Sequence, residues 1–186
     1  INWRAKALKD QQISSMVESL GTLLRATLSS KKPLVTLDYE IGLAGSYMTI
    51  QKIRFEDRLL FHVECPEELG KALILPLTIQ PLLENAIRYG MEEMMDTCEI
   101  SIRTMKEGGL LIVEVSNEGS VFEDGLLEKL QDGTKNAHGF GIGLVNIHQR
   151  IQMLFGEAYG LSFKNENEKA IAIITIPYKT EEDDYA

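Results

Sequence analysis

Apolar residues recur along the first part of the chain at spacings of three and four. Ile13, Met16, Val17, Leu20, Leu24 and Leu28 fall on one face of a helix. Ser29-Ser30-Lys31-Lys32-Pro33 ends that rhythm. Thr36 is placed to cap a second helix, whose stripe includes Leu37, Ile41, Ala44 and Met48. Two helices joined by so short a turn form an antiparallel hairpin. A lone hairpin cannot cover both of its stripes, so it is expected to pack on the rest of the chain or on a second hairpin in a dimer.

Past Arg58 the rhythm changes. Leu59 to Glu64 is strand-like and stops before Pro66. Glu99 to Thr104 alternates, with Ile100 and Ile102 on one face, and Lys106-Glu107-Gly108-Gly109 turns the chain into a second strand, Leu110 to Val115. Leu161 to Lys164 and Ala170 to Ile176 form another pair across Asn165-Glu166-Asn167-Glu168. Helices are predicted at about 76–89 and 144–155. This order predicts an α+β fold, a two-layer α/β sandwich whose mixed or antiparallel sheet carries helices on one face, preceded by the helical hairpin. The expected division is 1–57 for the hairpin, 58–180 for the sandwich and 181–186 for an acidic tail.

Composition narrows the options. The chain has 186 residues, 44% hydrophobic and 25% charged, which is the balance of a globular protein. Its net charge of -9 repels phosphate backbones, so nucleic acid is not expected as a partner. Cys65 and Cys98 have no CxxC spacing, which suits a reducing cytosol and gives no disulfide framework. No apolar run approaches the roughly 18 residues of a membrane span, and no signal peptide is visible. The chain starts at Ile1 rather than Met, so it reads as a piece of a longer protein, with any membrane segment upstream.

Two stretches carry candidate chemistry. In the helix at 76–89, Ile79, Leu82, Leu83, Ala86 and Ile87 make the core face, and Glu84, Asn85 and Arg88 lie off it. Glu84 and Arg88 are four apart and also suit a plain surface pair. Asn85 is the less ordinary choice, because Asn is a poor helix former in mid-helix. Further on, Gly139, Gly141 and Gly143 alternate just before a helix marked by Leu144, Ile147, Ile151 and Leu154. Glycines let a backbone approach a phosphate, and a helix N-terminus offers unpaired N–H groups and partial positive charge. The spacing is not that of the dinucleotide GxGxxG, and the Lys-Ser/Thr of a P-loop is missing.

With these motifs in view, the chain resembles the ATP-binding catalytic part of a sensor histidine kinase of the LytS/YesM type, with the GHKL (Bergerat) ATPase fold. Gln80-Pro81-Leu82-Leu83-Glu84-Asn85-Ala86-Ile87-Arg88-Tyr89-Gly90 is similar to that family's N box. Val115-Ser116-Asn117-Glu118-Gly119 stands where the family has its adenine-binding DNG box, and Gly139 to Leu144 resembles its second glycine box. Leu24-Arg25 and Gln51-Lys52-Ile53-Arg54-Phe55 fit its helical pattern. The resemblance implies that Asn85 holds Mg²⁺ and that Glu84 is the base polarising the attacking imidazole. It implies that Arg88, where the family often has Lys, contacts a phosphate, and that Asn117 meets the adenine of ATP. Gly139, Gly141 and Gly143 would form the hinge and phosphate wall of a mobile lid running from Phe122 to His138. Tyr89, Gly119, Lys135, His138, Phe140, Ile142 and Leu144 would border the nucleotide.

The function so implied is ATP:protein-histidine phosphotransfer with relay to a response regulator. The full-length protein would be a homodimer, and this chain the cytoplasmic region of a cell-membrane sensor. The chain departs from the pattern in three ways. Asn117 replaces the usual Asp, so ATP binding should survive but weaken, and Asn117→Asp is expected to tighten it. Val121 stands in place of the next glycine and should stiffen the loop. The family's phosphorylated histidine precedes the hairpin in a segment resembling NPHFLFN, and this chain starts beyond it. His62, His138 and His148 lack that setting, so the fragment should bind ATP without phosphorylating itself. Two alternatives stay open: another GHKL-type ATPase, and a degenerate kinase serving as a nucleotide-binding or dimerisation module.

Overall fold

A computed structural model describes residues 11–29, 32–92, 97–131 and 140–181. Among them, in chain order, lie α1 (Gln11–Ser29), β1 (Val35–Thr36), α2 (Leu37–Phe55), β2 (Leu59–Glu64), β3 (Leu73–Ile74) and α3 (Ile79–Ile87). Then follow β4 (Cys98–Glu107), β5 (Leu110–Glu118), α4 (Leu126–Gln131), α5 (Phe140–Phe155), β6 (Gly160–Glu166) and β7 (Lys169–Pro177).

The hairpin forms as expected, with α1 packed chiefly on α2. Thr36 caps α2, accepting from the Tyr39 N–H on its Oγ1 at 3.3 Å. The other free N–H groups of that terminus also find acceptors: Leu37 donates to the Ala72 carbonyl at 2.7 Å and Asp38 to the Gly70 carbonyl at 3.0 Å. Next to them β1 pairs antiparallel with β3. Leu37, Ala44 and Met48 of the α2 stripe are buried in the main core. The α1 stripe is not: Ile13, Leu20, Leu24 and Leu28 are exposed, Leu28 at 82%. The cause is layering, since α1 lies outside α2.

Among the described residues the main sheet has five strands in the order β2-β4-β5-β7-β6. β2 runs parallel to β4 and the other pairings are antiparallel, so the sheet is mixed. Buried positions follow the period of two: Cys98, Ile100, Ile102 and Thr104 on β4, then Leu111, Val113, Val115 and Asn117 on β5. That face packs against α3 and α5 in one continuous core containing Ile79, Leu82, Leu83, Ile147 and Ile151. The opposite face is open and carries ion pairs, Lys164 with Glu114 at 3.1 Å and Lys169 with Glu99 at 3.2 Å. Partly exposed pairs like these contribute little to stability.

Two helix boundaries differ from the sequence reading. α3 starts at Ile79 rather than 76, because Leu77 takes a left-handed backbone with φ of 59° that no α-helix continues through. α5 starts at Phe140 rather than 144, so Gly141 and Gly143 lie within its first turn. No helix among the described residues is long and apolar enough to cross a membrane.

Candidate functional site

The site is built along α3. Its apolar stripe fixes the rotation of the helix: Ile79, Leu82, Leu83, Ala86 and Ile87 are all buried. Glu84, next to the stripe, is half-buried, and its Oε1 accepts from Gln80 Nε2 at 2.9 Å. The pair is four apart, so one face of the helix orients its own acid. Spacing alone puts Asn85 off the core face. The structure corrects this: Asn85 is 6% exposed. α3 is covered on two sides, by the sheet and by neighbouring helices, so its buried arc is wider than the stripe. After Ile87 the chain widens into a π-turn, Arg88–Glu92. Arg88 and Tyr89 are half-buried there, the guanidinium 5.6 Å from the Tyr89 ring centroid.

The two ends of this helix meet the other motifs. At the far end Gly90 is pressed against β4 and β5. A Cβ on Gly90 would stand 2.5 Å from Cys98 Sγ and 3.3 Å from Asn117 Nδ2, so only glycine fits without a shift. At the near end α5 crosses α3, and a Cβ on Gly143 would lie 3.9 Å from Pro81 Cβ. Leu144, the residue after it, is buried. Asn85 therefore lies on a helix whose first turn touches the glycine-bearing turn and whose following π-turn, at Gly90, lies against Asn117.

Asn117 is 2% exposed because it stays in phase with Val113 and Val115 on the core face of β5. Its Nδ2 donates to the Glu118 carbonyl at 3.0 Å and to Ser120 Oγ at 2.7 Å. A carbonyl only accepts, so the amide nitrogen is the atom that belongs on that side. Gly119 follows with φ of 79°, a conformation glycine adopts at low cost. Sequence reading gave no role to Gln80 or Ser120, although the i, i+4 spacing of Gln80 and Glu84 was a usable signal.

Of the segment expected to form a lid, Phe122 to His138, the structure describes residues 122–131. The start of that segment is pinned to β6: Asn165 exchanges two 2.8 Å hydrogen bonds with the Phe122 backbone, and the Phe122 and Phe163 rings lie 4.9 Å apart. Lys135, His138 and Gly139 lie outside the described residues. Phe140, Gly141 and Ile142 begin α5. His62 is exposed on β2.

His148 is structural. It is buried, and its Nδ1 accepts the Leu161 N–H at 3.0 Å. Burial lowers its pKa from the ordinary value. Protons then bind the unfolded chain more readily, so stability is complete above about pH 6.5 and is lost as pH falls from there. The expected result is a smaller loss of unfolding free energy between pH 7.5 and 5.5 in His148→Gln than in the unchanged chain. Equal slopes would reject it.

The donor set fits a cation delivered with phosphates. Among the described residues no cluster of three or more His, Cys, Asp or Glu could cage a metal. Mg²⁺ is held by few protein oxygens when substrate phosphates supply the others, and a single amide oxygen at Asn85 beside Glu84 matches that requirement.

The family model described as histidine kinase matches residues 1–59. The model for histidine kinase-, DNA gyrase B- and HSP90-like ATPases matches residues 70–180. The chain is 44% identical to sensor histidine kinase YesM of Bacillus subtilis over 97% of its own length and 30% of the relative's. It is 31% identical to sensor histidine kinase BtsS of Escherichia coli, over 92% of the chain and 29% of the relative. The chain thus spans about a third of these relatives or less. In fold it is similar to the catalytic domain of histidine kinase ThkA, with a TM-score of 0.59 at 18% identity over 78% of this chain and 94% of that one. The structure of ThkA in complex with response regulator protein TrrA gives a TM-score of 0.57 at 19% identity, over 88% of this chain and 48% of that one. These matches accompany a helix that carries Glu84 and Asn85, with a glycine-bearing turn against its start and the buried Asn117 amide beyond its end, and the chain belongs to the histidine kinase-, DNA gyrase B- and HSP90-like ATPase family.

Proposed function

We propose that this chain is the catalytic region of a two-component sensor histidine kinase, moving the γ-phosphoryl group of ATP to a histidine elsewhere in the whole protein. The observation that carries it is α3, which bears Glu84 and Asn85 between a glycine-bearing turn and Asn117. The Asn85 amide oxygen would hold Mg²⁺, and the bound ion would neutralise charge on the phosphates. Glu84, oriented by Gln80, would take the N–H proton of the incoming imidazole as the phosphorus–nitrogen bond forms and ADP leaves. Arg88 would pair with a phosphate oxygen, and the N–H groups at the start of α5 would face the phosphates. The Asn117 oxygen would accept from the adenine amino group. Tyr89, Gly119, Lys135, His138, Gly139, Phe140, Ile142 and Leu144 would line the nucleotide or its lid.

In the same reading, residues 1–57 are the partial dimerisation and phosphotransfer region, 58–180 the ATP-binding domain and 181–186 a tail. The open apolar stripe of α1 supports a homodimer in which a second hairpin covers it. A response regulator is the phosphate acceptor, as the ThkA–TrrA complex suggests by analogy. The whole protein is placed at the cell membrane, with this region on the cytoplasmic side.

The test has two arms. The chain should bind an ATP analogue in a Mg²⁺-dependent way, and the whole protein should label a histidine from γ-labelled ATP. A chain that binds no nucleotide overturns the reading. Nucleotide hydrolysis without histidine labelling would point to another ATPase of this fold, and binding without either to a nucleotide-sensing module.

A further inference from the structure

The N-terminus of α3 is not capped by its own sequence. Thr78 occupies the capping position yet makes no side-chain cap bond, and its Oγ1 donates instead to the Leu75 carbonyl at 2.9 Å. The N–H groups of Leu77, Thr78 and Ile79, which lead into and open the helix, are taken by Glu40 of the first turn of α2 in the hairpin. Glu40 Oε1 accepts from the Leu77 N–H at 2.7 Å, and Oε2 accepts from Thr78 at 3.0 Å and Ile79 at 3.3 Å. Glu40 is 1% exposed. Burial pushes its carboxyl up from the ordinary range, while the three amides and the nearby Arg150 guanidinium work the other way. A carboxylate at a helix N-terminus is favoured by the helix dipole and by charge-assisted bonds.

The same turn is held from its other side. Arg150 of α5 donates to the Pro76 carbonyl at 2.9 Å. Between these two grips sits Leu77 with its left-handed φ, a conformation that persists in a non-glycine residue only when its surroundings over-determine it. The grip on α2 is equally firm, through the Leu37 and Asp38 bonds to Ala72 and Gly70. Residues 76–78 are therefore the point where hairpin, N-box helix and glycine-bearing helix meet.

We propose that Glu40 is a positioning residue for the nucleotide site, through which hairpin helix α2 sets the placement of α3 and so of Glu84 and Asn85. This rests on the kinase reading and names the element that regulates its site. Moving the start of α2 away would release three amides, let Leu77 relax and loosen the first turn of α3. Gln80, which orients Glu84, lies in that turn. Because linkage is reciprocal, nucleotide binding would equally favour the docked hairpin.

The experiment compares the unchanged chain with Glu40→Gln and with Met48→Ala, a core change on the same helix that touches no polar link. Three quantities are read: affinity for the Mg²⁺ complex of AMP-PNP, amide exchange at residues 77–83, and the unfolding midpoint. Glu40→Gln keeps the side-chain shape but turns an NH₂ group toward amide donors. It should speed exchange at 77–83 and weaken AMP-PNP binding roughly tenfold. Met48→Ala, compared at equal distance below its own midpoint, should bind like the unchanged chain. Binding by Glu40→Gln within about twofold of the unchanged chain would overturn the inference, as would an equal loss in Met48→Ala. Should Glu40→Gln fail to fold, Arg150→Gln reads the same turn, and an unaltered affinity there overturns the inference too. An unchanged chain that binds no AMP-PNP overturns the kinase reading itself, whereas one that binds alongside equally competent variants overturns only the role of Glu40.

Discussion

Asn85→Ala should reduce affinity for Mg²⁺–ATP by about a hundredfold or more while the chain stays folded. Alanine is the better helix former in mid-helix, so propensity offsets part of the lost packing. The loss comes from chemistry. Substitutions in the outer shell of a metal site already cost about ten- to a hundredfold, and removing the ligand atom should reach at least the upper end. The signature is its dependence on the metal. In excess chelator the unchanged and Asn85→Ala chains should bind ATP with similarly weak affinity, because neither uses the amide. Calorimetric titrations with and without Mg²⁺ check this. A loss of the same size in both conditions would mean that Asn85 shapes the pocket rather than holding the cation.

Asn117→Asp is expected to loosen ATP binding about tenfold at pH 8 and to lower the unfolding midpoint, the reverse of what the motif alone suggests. In the family pattern a carboxylate gains a charge-assisted bond to adenine, roughly twice as strong as a neutral one. Here the amide nitrogen faces the Glu118 carbonyl at 3.0 Å, and that carbonyl cannot donate. A carboxylate would set acceptor against acceptor in a site only 2% exposed. Ser120 can turn its hydroxyl to donate, so one of the two contacts survives. The other leaves a buried charged group unsatisfied, at about 1–3 kcal/mol or more, and 1.4 kcal/mol is a factor of ten. Burial and the facing carbonyl hold the introduced carboxyl above the ordinary carboxylate range. Its protonated form can donate to Glu118, so the folded state binds the proton better than the unfolded state does. Stability is then kept at low pH and lost as pH rises through the folded pKa. Midpoints and affinities measured at pH 5 and 8 test both halves. Tighter binding at pH 8 without loss of stability would restore the simpler view of this position.

Much of the site was legible because its residues sit on strongly periodic elements. The stripe from Ile79 to Ile87 fixed the rotation of α3. The strand read as Leu110 to Val115 runs on to Glu118, and this longer alternation brings Asn117 into line with Val113 and Val115. What escaped was set by partners distant in sequence. Asn85 is buried because helices and sheet close on α3 from two sides, which a single stripe cannot reveal. The two-residue pairing of β1 with β3 is too short to leave a period. The parallel alignment of β2 with β4 depends on where α3 returns the chain. Glu40 looked like one more acid in the first turn of a helix, where Asp and Glu are common, and its true partners lie 37 to 39 residues away.

The anchoring of α2 limits how any message can pass along it. At its start it is tied to residues 70–74, and at its end Glu56–Arg58 joins it to the edge strand of the main sheet. A rod fastened at both ends cannot swing about a single hinge. It can twist about its long axis or slide a short way along its neighbours. Torsion entering from α1 would therefore arrive at α3 as a small rotation of the helix that bears Glu84 and Asn85.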